Sequence, residues 1–140
     1  MINKILFITL SNIGDAILTL PALDQLAAAY PQAQITVITA VRPKEIFESH
    51  SAVKFVIVYD KRSGVKDQIK LMRSLRREKF DLVVDLRNTF LGAALIAPRR
   101  IPFFLRLPKS VKHMRDVHLY KTHAAISSGH KQQELPGYFK

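Results

Sequence analysis

The sequence contains no cysteine and no tryptophan. Without cysteine there is no disulfide framework, no thiolate nucleophile and no cysteine-based zinc site. Glycine and proline are sparse, five and seven residues in 140, which excludes a collagen-like or low-complexity chain. Acidic residues are few as well. Only 11 Asp and Glu face 22 Lys and Arg, giving a formal net charge of +11. No apolar run approaches the ~18 residues that a membrane-spanning helix requires. Ile5 to Leu10 imitates the apolar centre of a signal peptide, but it is short, Asp15 follows it and no small-residue cleavage site is present. That stretch reads as a β-strand.

The chain does hold enough apolar material for a core, 48% of its residues. Its length fits one domain, which at this size needs no disulfide or metal to fold. The lack of cysteine is compatible with a cytoplasmic location. The positive charge is concentrated. Arg99 to Lys131 holds Arg99, Arg100, Arg106, Lys109, Lys112, Arg115, Lys121 and Lys131 against the single acid Asp116, with His113, His118, His123 and His130 among them. Such a field attracts anionic partners: phosphates, a lipid surface or nucleic acid. For nucleic acid the further signs are absent. Aromatics interleaved with cations are sparse, and no helix-turn-helix or zinc-finger pattern occurs.

The periodicity alternates along the chain. Lys4–Leu10, Gln34–Ala40, Lys54–Tyr59 and Asp81–Leu86 are short, β-branched apolar runs, the pattern of strands buried on both faces. Ile101–Leu107 is a weaker fifth, because Pro102 lies near its start. Between them fall helical patterns over Asp15–Tyr30, Pro43–Ser49, Val65–Lys79 and Phe90–Ala97, with a last one over Val111–Ile126. Pro21 either kinks the first of these or opens a second helix. The expected buried stripes are Ala16, Leu20, Leu23, Ala27 and Tyr30 in the first helix. In the third they are Val65, Ile69, Met72 and Leu75, and in the last Met114, Val117, Tyr120 and Ala124. Strands alternating with helices imply an α/β fold: a Rossmann-like parallel sheet of about five strands, helices on both faces, in the order 3-2-1-4-5. Residues 1–126 form this domain, and 127–140 are polar and turn-rich, like a linker.

Ligands of such sheets bind beyond the carboxyl ends of the strands. That places Ser11, Asn12, Gly14 and Asp15 after the first strand, and Asp85, Arg87, Asn88 and Thr89 at the end of the fourth. Gly14 stands alone, so the loop lacks the three glycines of a dinucleotide fingerprint, and no Gly-Lys-Ser/Thr follows for a P-loop. Asp15 reads in two ways, as a helix cap or as a base that takes the proton of a bound hydroxyl. Gly14 permits close approach of a ligand. Arg87 and Asn88 read as a grip on phosphate or sugar hydroxyls, or as a solvated loop. Asp85 could turn inward beside Arg87. Arg42 and Lys44 are weaker anion contacts. His113, His118 and His123 stand five apart, about 140° around a helix, so they share no face. With no carboxylate cluster beside them, no metal site is expected.

Ser11-x-Ile13-Gly14-Asp15 followed by Leu18-Thr19-Leu20-Pro21-Ala22-Leu23, then Tyr30-Pro31, Ile35–Thr39 and Phe80–Leu86, resembles the heptosyltransferase family, glycosyltransferase family nine. A weaker match covers His113 to Tyr120. The resemblance implies the N-terminal, acceptor-binding domain of a GT-B glycosyltransferase. The complete enzyme of that family transfers heptose from an ADP-sugar to the lipopolysaccharide inner core, with inversion and without a metal or other cofactor. It also implies Asp15 as general base, with Ser11, Asn12, Gly14, Arg87 and Asn88 on the acceptor side. The acceptor it implies is an anionic lipid A and Kdo-type glycolipid, met by a peripheral contact with the inner face of the inner membrane. The ADP-sugar donor would be held by a C-terminal domain absent from these residues, toward which 127–140 would lead, so the chain alone is expected to be inactive. The alternative is a non-catalytic Rossmann-like module that binds an acidic glycolipid or a protein partner.

Overall fold

The computed structural model describes residues 1–87, 89–95, 97–100, 107–109 and 111–127. Among these residues five strands, β1 (Lys4–Thr9), β2 (Gln34–Thr39), β3 (Val53–Val58), β4 (Leu82–Asp85) and β5 (Arg99–Arg100), alternate with α1 (Ile13–Ala29), α2 (Lys44–Glu48), α3 (Val65–Glu78) and α4 (Phe90–Ala94), and α5 (Met114–Ser127) is the last described element. The sheet order is β3-β2-β1-β4-β5, parallel throughout, as the alternation of elements predicts. Among the described residues the fifth strand is the pair Arg99–Arg100. The expected strand over Ile101–Leu107 falls almost wholly on residues 101–106, which lie outside the described ones. Residues 128–140, the expected linker, also lie outside them.

The strands sort their side chains with a period of two. Ile5 and Phe7 of β1, Ile35 and Val37 of β2, and Leu82 and Val84 of β4 join α1, Phe47 of α2 and Ala125 of α5 in one core. Leu6, Ile8, Ile38 and Val83 point the other way and meet Leu75, Leu91 and Leu95. β1 is central and its Ile5–Thr9 are fully buried, which explains its uninterrupted apolar run.

α1 is one helix with Pro21 inside it, so of the two readings the one in which Pro21 opens a second helix falls. The hydrogen bond that proline forgoes would have ended on the carbonyl of Ile17, an exposed residue. The buried face of α1 is Ala16, Thr19, Ala22, Leu23 and Leu26, with Leu20, Ala27 and Tyr30 only half-covered. Two further stripes depart from expectation. In α3 only Leu75 is buried, while Val65 and Ile69 are exposed. In α5 the buried positions are Val117, His118, Thr122 and Ala125, and Met114 faces outward. The packing face of α5, which lies against α1, is thus rotated from the apolar one.

At the amino edge of the sheet, Asp81 accepts hydrogen bonds from the amides of Asn3 and Lys4, at 2.9 and 3.0 Å. These bonds hold its carboxyl below the usual carboxylate range. The opposite, carboxyl edge carries the loops considered next.

Candidate functional site

Because all strands run one way, the segments after β1, β2, β3 and β4 emerge on one edge. There they line an open cleft of about 360 Å³ that includes Ser11, Asn12, Asp15, Lys61, Arg62 and Arg87. Arg42 is exposed beyond this cleft, and Lys44 is ion-paired to Glu48 at 3.1 Å. Asn12 is the N-cap of α1. Its side-chain oxygen accepts the Asp15 amide at 2.9 Å. Capping is therefore the work of Asn12, and Asp15 sits in the first turn with its carboxylate turned to the cleft. That side chain is 28% exposed, and Arg87 Nη1 lies 3.5 Å from its Oδ2. Two loops 72 residues apart in sequence meet in this pair, since β1 and β4 are neighbours and Ile8 faces Asp85 in their register.

The remaining residues expected at the site divide. Ser11 lines the cleft but is buried, and its hydroxyl shares a hydrogen bond with Thr9 Oγ1 at 3.1 Å. Gly14 is exposed, and a Cβ there would meet only Asn12 Oδ1 at 3.6 Å, an ordinary contact. Nothing among the described residues requires glycine at this position. Asn88 lies outside the described residues.

Asp85 turns inward. Its buried carboxylate accepts the Arg87 amide at 3.0 Å, the Thr89 amide at 2.6 Å and the Thr89 hydroxyl at 2.8 Å. Burial raises its pKa, against the opposing pull of these donors and of the Lys121 charge. A Cβ at Gly92 would overlap this carboxylate, so α4 approaches the turn only because glycine stands there. From the other side, Lys121 Nζ donates to the Leu86 carbonyl at 2.9 Å. Burial lowers the pKa of Lys121. It is therefore a tie between α5 and the β4–α4 turn rather than part of a diffuse cationic surface. His118, one turn earlier on α5, is 1% exposed and has no hydrogen-bond partner on either ring nitrogen among the described residues. Burial, then the charges of Lys121 and Arg87, lower its pKa to about 4, opposed by Asp15.

Four residues escaped the sequence reading of the site. Lys61 and Arg62 follow β3 at the same carboxyl edge, and the strand-end rule applied to β3 would have found them. His118 and Lys121 had no such signal, because α5 follows the sheet in sequence and only the tertiary packing carries it back to β4. Among the described residues no three His, Asp or Glu stand close enough to hold a metal ion.

No family model matches the chain, and no curated protein matches it. Solved structures do. A glycosyl transferase family 9 protein from Veillonella parvula is 24% identical over 88% of the chain, with a TM-score of 0.72. The E. coli heptosyltransferase WaaC, solved with ADP, is 21% identical over 87% of the chain, with a TM-score of 0.67. E. coli ADP-heptose lps heptosyltransferase II is 28% identical over 69% of the chain, with a TM-score of 0.58. The chain spans 41%, 47% and 29% of the lengths of those three chains. At the level of fold, the chain resembles the glycosyltransferases of family 9, the heptosyltransferases among them.

Proposed function

We propose that this chain is the acceptor-binding half of an inverting glycosyltransferase of the heptosyltransferase type. The observation that carries this reading is the Asp15 carboxylate. It is released from capping by Asn12, opens onto the cleft and stands among Arg87, Lys61 and Arg62. A sugar hydroxyl placed beside Asp15 gives up its proton to the carboxylate as its oxygen attacks the anomeric carbon of the donor sugar. The nucleotide diphosphate leaves from the opposite face, so the configuration inverts. The three cations fit an acceptor that carries negative charge next to the reacting hydroxyl, as a Kdo-type sugar acid or a phosphorylated glycolipid does. Gly14, which the fold does not need, leaves space for that acceptor against the start of α1.

The donor, an ADP-sugar in this reading, is bound by residues beyond these 140. The test joins this chain to the donor-binding half of a heptosyltransferase and follows heptose transfer to a Kdo-bearing acceptor. Asp15→Ala is expected to lower turnover by about 10²-fold or more, with the fold retained because Asn12 still caps α1. Unchanged turnover removes Asp15 from the mechanism. Acceptor binding without any transfer in the joined protein favours the non-catalytic module instead.

A further inference from the structure

α3 carries two parallel ridges, one of cations and one apolar, that its neighbours leave largely uncovered. Lys66, Lys70, Arg73 and Arg77 follow one another at intervals of four, three and four residues, which places them on one line along the helix. All four are exposed, and none is ion-paired among the described residues. The acids of α3 do not answer this line, since Asp67 lies in the first turn and Glu78 is paired to Lys4 at 2.9 Å. Beside the cations runs an apolar ridge of Val65, Ile69 and Met72. Val65 is 72% and Ile69 49% exposed. With Leu10, Tyr59 and Leu91 this ridge walls a groove of about 640 Å³ that Lys61 and Arg87 also line. The same two cations line the acceptor cleft. An apolar strip flanked by a row of cations, on a surface helix, is the pattern of an element that lies in a membrane interface with its apolar side down.

We infer that α3 is a docking face for an anionic bilayer surface, with Val65 and Ile69 entering the headgroup region and Lys66, Lys70, Arg73 and Arg77 over the lipid phosphates. The charge decides for a membrane over a second copy of the chain. A copy bringing the same cation row would repel this one, whereas each cation brought to an anionic leaflet strengthens binding by about fivefold. The placement also accounts for the shared Lys61 and Arg87, because a lipid-borne acceptor leaving the bilayer beside Val65 would enter the cleft directly. The inference deepens the reading of an anionic, lipid-borne acceptor. Its test is separate from that reading, because the probe contains no acceptor.

The chain is sedimented with vesicles of phosphatidylcholine alone and with vesicles that also contain phosphatidylglycerol. Tight binding is expected only to the anionic vesicles and is expected to fall steeply with added salt. Val65→Asp with Ile69→Asp, and separately Lys70→Glu with Arg73→Glu, are expected to weaken that binding by about tenfold or more. Both pairs are solvent-exposed, so circular dichroism and the thermal midpoint should not move. Lys112→Glu with Arg115→Glu, in the basic segment of α5 and its approach, is expected to change binding much less. Equal binding to both vesicle types overturns the inference, as does full binding by either α3 double variant. It is also overturned if the chain is a dimer in solution that Val65→Asp with Ile69→Asp dissociates, since α3 is then an interface between copies. If vesicle binding behaves as expected while Asp15→Ala leaves transfer unchanged, the membrane face stands and the catalytic reading falls.

Discussion

His118 is a buried imidazole that donates and accepts nothing among the described residues, packed where Asp15, Arg87 and Lys121 all act on it. An unsatisfied polar group of this kind costs about 1–3 kcal/mol. Burial lowers its pKa to about 4, from 6.5 in the unfolded chain, so the folded protein binds fewer protons in that interval. The stability that neutral His118 allows is therefore complete above about pH 6.5 and is lost as pH falls toward 4, by roughly 3 kcal/mol in all. His123, also lowered by burial, adds to this loss, while Asp85, raised by burial, works the other way in the acid range. His118→Leu is expected to raise the urea midpoint at pH 7, by about 1 kcal/mol in unfolding free energy. It is also expected to flatten the dependence between pH 6.5 and pH 4. A variant with an unchanged pH profile would mean that His118 is hydrated and titrates normally. Nothing in the sequence pattern announces this burial, because a histidine in a segment rich in Lys and Arg looks like part of a basic surface until α5 is laid against α1.

The β4–α4 turn shows the same limit for an element. The strand itself was legible as Asp81–Leu86, and the inward turn of Asp85 beside Arg87 was one of the readings open to it. What the sequence could not show is that Arg87 is held from both sides, by Asp85 on its own amide and by Lys121 through the Leu86 carbonyl. Counting charge treats Lys121 as equivalent to Lys109 or Lys112, and only the packing separates them. If Lys121 holds this turn, Lys121→Met should speed hydrogen exchange of the Arg87 and Thr89 amides by about tenfold, the order of one lost charged hydrogen bond. The β1 amides should be unaffected, and Lys121→Arg should restore much of the protection. Exchange that rises equally in β1 would show a general loss of stability instead of a local clasp. The site at large was read through the same kind of rule. The carboxyl-edge principle located Asp15 and Arg87 from strands alone, whereas the roles of Asn12 as cap and Ser11 as a buried partner of Thr9 depend on where α1 begins, a detail that periodicity leaves loose by a residue or two.

For the whole molecule, the alternation of strand and helix sufficed to fix the sheet order, because right-handed crossovers leave few ways to connect parallel strands. It could not say how unequally the two faces are covered. On one face α1, α2 and α5 close over Ile5, Phe7, Val37 and Val84, and α1 contributes five buried residues. On the other, α3 contributes only Leu75 as a fully buried side chain, and it is tied to α4 by the Arg76 guanidinium on the Ala94 carbonyl, at 3.0 Å from Nη2. A helical pattern reports a stripe, and whether anything covers that stripe depends on neighbours the pattern does not contain. Val65 and Ile69 were therefore expected inside and stand outside. Opening α3 costs little buried surface, so it should be the first cooperative unit to come away from the sheet. In native-state hydrogen exchange with increasing urea, the α3 amides should open at a clearly lower free energy, and with a smaller urea dependence, than those of β1 and α1. Anionic vesicles, if they engage α3, should raise the α3 opening energy selectively. Opening of α3 only together with β1 and α1 would mean that the helix is anchored by more than Leu75, and that both faces of the sheet unfold as one.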